Sequence, residues 1–186
     1  MCVTTADSVE RIRLARQRGI LVTADVTPHH LLLTDEVMES FDTLYKCNPP
    51  LRSQQHIDAL IQGLQDGTIT AISADHQPLA IEKKSVELDI APFGISGLES
   101  LLPICCKALI EPGHLSWAKL VSCLTTGPAQ VLKLDAGTLS CGVHADLTLI
   151  DPVEQWSIAT DAFHSKSHNS PFDGLAVQGR VVMTIV

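Results

Sequence analysis

The chain has 186 residues and a formal net charge of −8. That length suits one domain, or a large piece of one, and the acidic balance argues against nucleic acid or an anionic membrane surface as a partner. Hydrophobic residues make up 45% and aromatic residues only 4%, so the core is expected to be aliphatic.

"TTADSVERIRLARQRG" predicts a helix, capped by Ser, Thr or Asp, with Val9, Ile12, Leu14 and Ala15 on one apolar face and Gly19 as its stop. "ILVTADVT" is short and β-branched, a buried strand ended by Pro28. "LTDEVMESF" predicts a second short helix with an acidic first turn. "NPPLRS" predicts an extended loop, because consecutive prolines fix φ and forbid helix. In "SQQHIDALIQGLQDG", Ile57, Leu60, Ile61 and Leu64 recur at helical spacing and Gly67 stops the helix. "TITAISADH" is the next strand, and it ends on an acid and a histidine, Asp75 and His76. This alternation predicts βα units and a parallel sheet.

"EKKSVELDIAPFGISGLE" is a loop of mixed charge, and "GLESLLPICCKALIE" and "SWAKLVSCLTTGPAQVL" predict two more helices. After about residue 135, "AGTLSCGVHADLTLIDP" and "LAVQGRVVMTIV" predict strands with Gly turns and no helix between them, a small β-structure beside the α/β part. Two parallel strands cannot bury both faces and both edges. The chain is therefore expected to be part of something larger, with "MCV" as the tail of a further strand.

Cysteines at positions 2, 47, 105, 106, 123 and 141 form no C-x-x-C, so neither a zinc ribbon nor a small disulfide scaffold is indicated. A reduced, cytoplasmic protein is expected. The start lacks a signal peptide, and no apolar run approaches the ~18 residues of a membrane helix.

In order, "VTADVTPHHLLLTDE", "NPPLRS", "SADHQP", "APFGISGLESLLP", "AGTLSCGVHADLTLIDP" and "NSPFDG" resemble bacterial dihydroorotase, a cyclic amidohydrolase of pyrimidine synthesis, over essentially the whole chain. "TPHHLLLTDE…NPPLR" and "GISGLE" are the specific parts, and "NPPLR" and "GISGLE" favour this resemblance over a third reading, a hydantoinase or allantoinase relative; "ADLTLID" is shared more widely. The resemblance implies an α/β fold. Residues 1–135 would be the C-terminal portion of a (β/α)8 TIM barrel of the metal-dependent hydrolase type, and residues 136–186 part of a small β-sandwich. The site would lie at the C-terminal ends of the strands.

On that template Asp75 matches a residue that binds zinc, of which the family holds one or two ions, and shuttles a proton. Asn48 matches a substrate-binding amide, and backbone groups around Gly94 match a substrate-contacting loop. The substrate pair would be dihydroorotate and carbamoyl aspartate. Cys2 stands where the family usually has a metal-binding His, and Leu79 where it often has a His that contacts the substrate carboxylate. The family's H-x-H pair, bridging carboxylate or lysine, further histidine and substrate-binding arginine have no counterpart in these residues.

Two readings follow. In one the chain is a truncated piece of a dihydroorotase, inactive by itself. In the other it is a non-catalytic scaffold or regulatory partner of aspartate transcarbamoylase. Exposed barrel edges would favour self-association as a homo-oligomer. His29 and His30 are assigned no ligand role, one being a structural histidine near the site. His56, His114, His144, His164 and His168 are expected at loop or surface positions, and Cys105 and Cys106 in the core. Asn48 could equally be an Asx-type turn former, and Glu99 an acid at a helix start.

Overall fold

The computed structural model describes residues 2–186. Helix α1, Ala6–Gln17, begins where the Thr5 hydroxyl accepts the Ser8 N–H at 3.3 Å. Val9 is buried, but Leu14 is exposed. Five residues separate them, which at about 100° per residue turns Leu14 off the buried face. The expected strand over "ILVTADVT" contracts to β1, Asp25–Val26, and the next to β2, Ala71–Ile72. These four residues form the ladder between the two strands, parallel and in register Asp25↔Ala71 and Val26↔Ile72. Cys2 bridges Asp25 in parallel on the other side, as expected for the tail of a strand; Met1 lies outside the described residues. β1 is thus the middle of three parallel segments.

Pro28–Leu32 forms one turn, α2, directly after β1. Asp35–Ser40 is a 3-10 helix rather than the expected α-helix and ends on left-handed Phe41. α3, Gln54–Asp66, buries Ile57, Leu60, Ile61 and Leu64 and stops at left-handed Gly67, as the periodicity predicts. The loop after β2 contains one helical turn, α4, Ile81–Lys84. α5, Leu101–Cys105, continues into a π-helical turn over Cys106–Ile110, and both cysteines are buried.

"SWAKLVSCLTTGPAQVL" is two helices, not one: α6, Trp117–Leu124, and α7, Thr126–Leu132. Pro128 has no N–H to give to the carbonyl four residues back, so the first helix cannot run on through it. The break lays Gly127 against the strand that leads into β2, where a Cβ would sit 2.0 Å from the Thr70 carbonyl oxygen.

The tail forms an antiparallel pair, β3, Leu147–Ser157, and β4, Ala176–Ile185. β3 is longer than expected because Pro152 falls in an irregularity between Asp151 and Gln155, where no ladder N–H is required. Ile104 of α5 packs with Ile158, Phe172 and Val177 and joins this pair to the helices. A larger aliphatic cluster, with Leu60, Leu64 and Leu109 at its centre, lies under the parallel segments.

The Gly127 contact yields a test. Gly127→Ala is expected to cost about 3 kcal/mol or more, because backbone rather than a side chain must move. A denaturant melt within about 0.5 kcal/mol of wild type would contradict the close approach.

Candidate functional site

The ends of the parallel segments converge. β1 delivers Thr27, His29 and His30; β2 delivers Ser73 and Asp75; Cys2 lies on the bridge to Asp25. Asp25 accepts a hydrogen bond from the Ser73 hydroxyl at 2.7 Å, tying two strand ends together. Asp75 is left-handed at φ 45, a conformation Asp tolerates better than most residues. One of its carboxylate oxygens, Oδ1, accepts from Gln77 Nε2 at 2.9 Å. Its neighbour is used differently: His76 pairs in a β-bridge with Ile95 and accepts the Leu98 N–H at 3.2 Å.

His29 and His30 are both 2% exposed, and their hydrogen bonds have a fixed direction. The Pro49 carbonyl can only accept, so His30 Nε2 donates to it at 2.9 Å. A neutral His30 then accepts at Nδ1 from the Thr27 hydroxyl, 2.6 Å away. The same Thr27 oxygen accepts from His29 Nε2 at 2.9 Å. Burial, with a smaller contribution from the neighbouring ring, pushes the His29 pKa down to about 3, and burial lowers that of His30. Both rings are therefore neutral near pH 7.

The thiols move the other way. Burial first, then the charge on Asp25 and more weakly that on Asp75, pushes Cys2 up to about 12. Burial and the charge on Asp75 push Cys47 up to about 11. Cys2 Sγ lies 3.8 Å from His30 Nδ1 and Cys47 Sγ 4.0 Å from His30 Nε2.

The two substrate-side candidates sit on adjoining loops. Asn48 precedes a cis peptide bond to Pro49. Its side chain is exposed and makes no hydrogen bond among the described residues, so the Asx-type turn is not formed. Gly94 is buried at φ 135, and a Cβ there would stand 2.8 Å from Gln77 Cβ. Its N–H is already given to the Lys46 carbonyl at 3.0 Å. Leu79 has its backbone N–H shared between Ser167 Oγ and Asn169 Oδ1, each at 3.0 Å.

Two residues that sequence reasoning did not single out, Lys84 and Asn169, hold this region together. Lys84, 3% exposed, gives its ammonium to the carbonyls of Thr43 at 3.0 Å, Lys46 at 3.3 Å and Pro92 at 2.9 Å. Those carbonyls flank Asn48 and Gly94. Asn169 binds the loops of Asp75 and Gly94 from the tail. His56, expected at an ordinary loop or surface position, is in α3, where its ring accepts the Ala6 N–H at 3.0 Å and anchors the start of α1. A lone Lys or Asn in a loop carries no periodic signal; only "NSPFDG" hinted at the tail's involvement. Glu99 lies just before α5 and accepts the Ser165 N–H at 2.8 Å.

Among the described residues, one set of three donors lies close enough to share a cation. His29, His30 and Cys47 place one ligand atom each within 4.8 Å of one another. Both nitrogens of His30 are already engaged, so this trio is satisfied without an ion. Cys2, Asp25 and Asp75 differ. The charges on Asp25 and, more weakly, Asp75 repel a thiolate at Cys2 and help to keep the thiol protonated. A divalent cation would relieve that repulsion, and oxygen and sulfur donors suit one. Asp75 and Cys2 thus offer donor types that suit a metal, without the close three-donor grouping of His29, His30 and Cys47.

Residues 3–186 match the model of the amidohydrolase family. The chain belongs to this family, whose members are metal-dependent. It is 45% identical over 184 residues to a dihydroorotase of Elusimicrobium minutum and 46% identical over 184 residues to one of Ruminiclostridium cellulolyticum. Each match covers 99% of this chain but 43% of the relative, so the chain spans less than half the length of these amidohydrolases. Among solved structures, an L-hydantoinase (dihydropyrimidinase) from Arthrobacter aurescens superimposes with a TM-score of 0.93 at 31% identity, over 100% of this chain and 42% of that one. The fold is the C-terminal portion of an amidohydrolase (β/α)8 barrel with part of its small β-sandwich.

The neutral histidines give a pH test. The folded pKa of His29 is depressed from 6.5 to about 3, so the unfolded chain binds the extra proton between those values. Stability from this residue is fully present above about pH 6.5 and declines as the pH falls toward 3. Between pH 6.5 and 4 the loss is on the order of 3 kcal/mol. In His29→Gln, whose amide still donates to Thr27, urea melts should lose less stability over that interval. An unchanged pH slope would contradict the assignment.

Proposed function

We propose that this chain is the C-terminal part of a zinc-dependent dihydroorotase, acting reversibly on the cyclic amide of dihydroorotate and inactive by itself. The 45% identity to dihydroorotases along 99% of the chain carries this reading, because the aligned stretch includes Asp75, Asn48 and Gly94. Its domains would be residues 1–135 in the barrel and 136–186 in the β-sandwich, in a cytoplasmic protein that self-associates.

Zinc bound by Asp75, with Cys2 as a second ligand, would supply Lewis acidity and make hydroxide available near neutral pH. The remaining chemistry falls to this chain's side chains. Gln77 holds Asp75 by Oδ1, leaving Oδ2 to accept the proton of the attacking water. As the ring C–N bond breaks and the C–O bond forms, Asp75 returns that proton to the leaving nitrogen. The exposed amide of Asn48 offers one donor and one acceptor edge to the ring. Ring closure of carbamoyl aspartate is the same sequence reversed.

A second reading has specific support: the chain would be a non-catalytic partner of aspartate transcarbamoylase. Cys2 stands where the family usually has a histidine, its thiol pushed up to about 12 by burial and by Asp25, and Leu79 offers no side-chain hydrogen bond to a substrate carboxylate.

The two readings are separated by grafting this chain onto the E. minutum dihydroorotase in place of the matched segment. With zinc, the chimera should hydrolyse dihydroorotate; Asp75→Asn should lower the rate at least ~100-fold, the usual scale for a general acid–base group. Cys2→His should raise it. A folded chimera without turnover, even with Cys2→His, would support the scaffold reading instead.

A further inference from the structure

Asn169 is 0% exposed, and every hydrogen-bonding position of its side chain is used. Nδ2 donates to the Gln77 carbonyl at 3.1 Å and the Gly94 carbonyl at 3.2 Å. Oδ1 accepts the Leu79 N–H at 3.0 Å and contacts the Ser167 hydroxyl. Carbonyls only accept and a peptide N–H only donates, so the amide has one possible orientation. The Asn169 backbone adds a fifth link, its carbonyl accepting the Ser96 N–H at 2.9 Å.

Apart from Ser167, these partners lie in two loops, residues 77–79 and 94–96. The first follows Asp75 directly, and the second carries Gly94. Gln77 connects them further: its Nε2 holds the Asp75 carboxylate at 2.9 Å, and its Cβ leaves no room for a side chain on Gly94. A path of fixed contacts therefore runs from Asn169 through Gln77 to the Asp75 carboxylate.

We infer that Asn169 is a positioning residue: from the C-terminal tail it sets the spacing between the Asp75 turn and the Gly94 loop and, through Gln77, aims the Asp75 carboxylate. This rests on the reading of Asp75 and Gly94 as site residues. It makes the tail a working part of the site as well as a packing layer. Asn169 itself touches no reacting group.

The test uses the full chain, labelled for amide spectra. Asn169→Asp keeps an acceptor for Leu79 but turns an oxygen toward two carbonyls. Amide exchange at Leu79 and Ser96 should accelerate at least tenfold, and the signals of the Asp75 amide and the Gln77 side-chain amide should shift. Exchange at Leu60 and Leu64 in α3 should stay within twofold of wild type. Unmoved Asp75 and Gln77 signals overturn the inference, and so does acceleration that is equal in α3, which marks a general stability role.

Should Asn169→Asp fail to fold, Gln77→Leu decides. It keeps the Gln77 carbonyl that Asn169 binds but cuts the last link, so the Asp75 signals should shift while Leu79 remains protected. Unmoved Asp75 signals overturn the inference here too. A parallel Zn2+ titration of Asp75→Asn separates the two levels: affinity equal to wild type contradicts the reading of Asp75 as a ligand rather than the link from Asn169.

Discussion

Irregular backbone that is buried must still satisfy its carbonyls, and the candidate site is made almost entirely of such backbone. Each orphaned buried polar group would cost about 1–3 kcal/mol. The chain answers with three buried side chains. Lys84 takes the carbonyls of Thr43, Lys46 and Pro92, Asn169 those of Gln77 and Gly94, and His30 that of Pro49. Between them they fix the loops carrying Asn48, Asp75 and Gly94. The strands contribute only two ladder residues each, so the loops take their geometry from these side chains as much as from the sheet.

The same burial sets the charge state. His29 and His30 are neutral, the thiols of Cys2 and Cys47 are protonated, and Asp25 and Asp75 are the groups whose charge acts on Cys2. A geometry held by locked neighbours is the kind that retains its aim without a ligand. The departures at Cys2 and Leu79 bear on how well the site works and leave this framework in place.

Much of the fold was legible because it repeats. The spacing of Ile57, Leu60, Ile61 and Leu64 gave α3, Gly67 its end, and Gly turns the antiparallel tail. What failed was whatever depends on contacts distant in sequence. The split between α6 and α7 follows from Pro128 and from the approach of Gly127 to Thr70. The strands were overcalled because β-branched composition does not say where a partner strand lies. At the site, Asp75 was visible as an acid ending an apolar strand. Lys84, Asn169 and His56 were not, since their roles come from what folding brings to them.

The most direct test of the account is X-ray absorption at the zinc edge of the zinc-loaded chain. The central claim is that the strand ends form the metal-holding part of an amidohydrolase site at Asp75 and Cys2. It predicts one sulfur in the first coordination sphere alongside oxygen or nitrogen ligands, with the sulfur lost in Cys2→Ser and retained in Cys47→Ser. A sulfur that survives Cys2→Ser and disappears in Cys47→Ser would place the ion with His29 and His30 and contradict it.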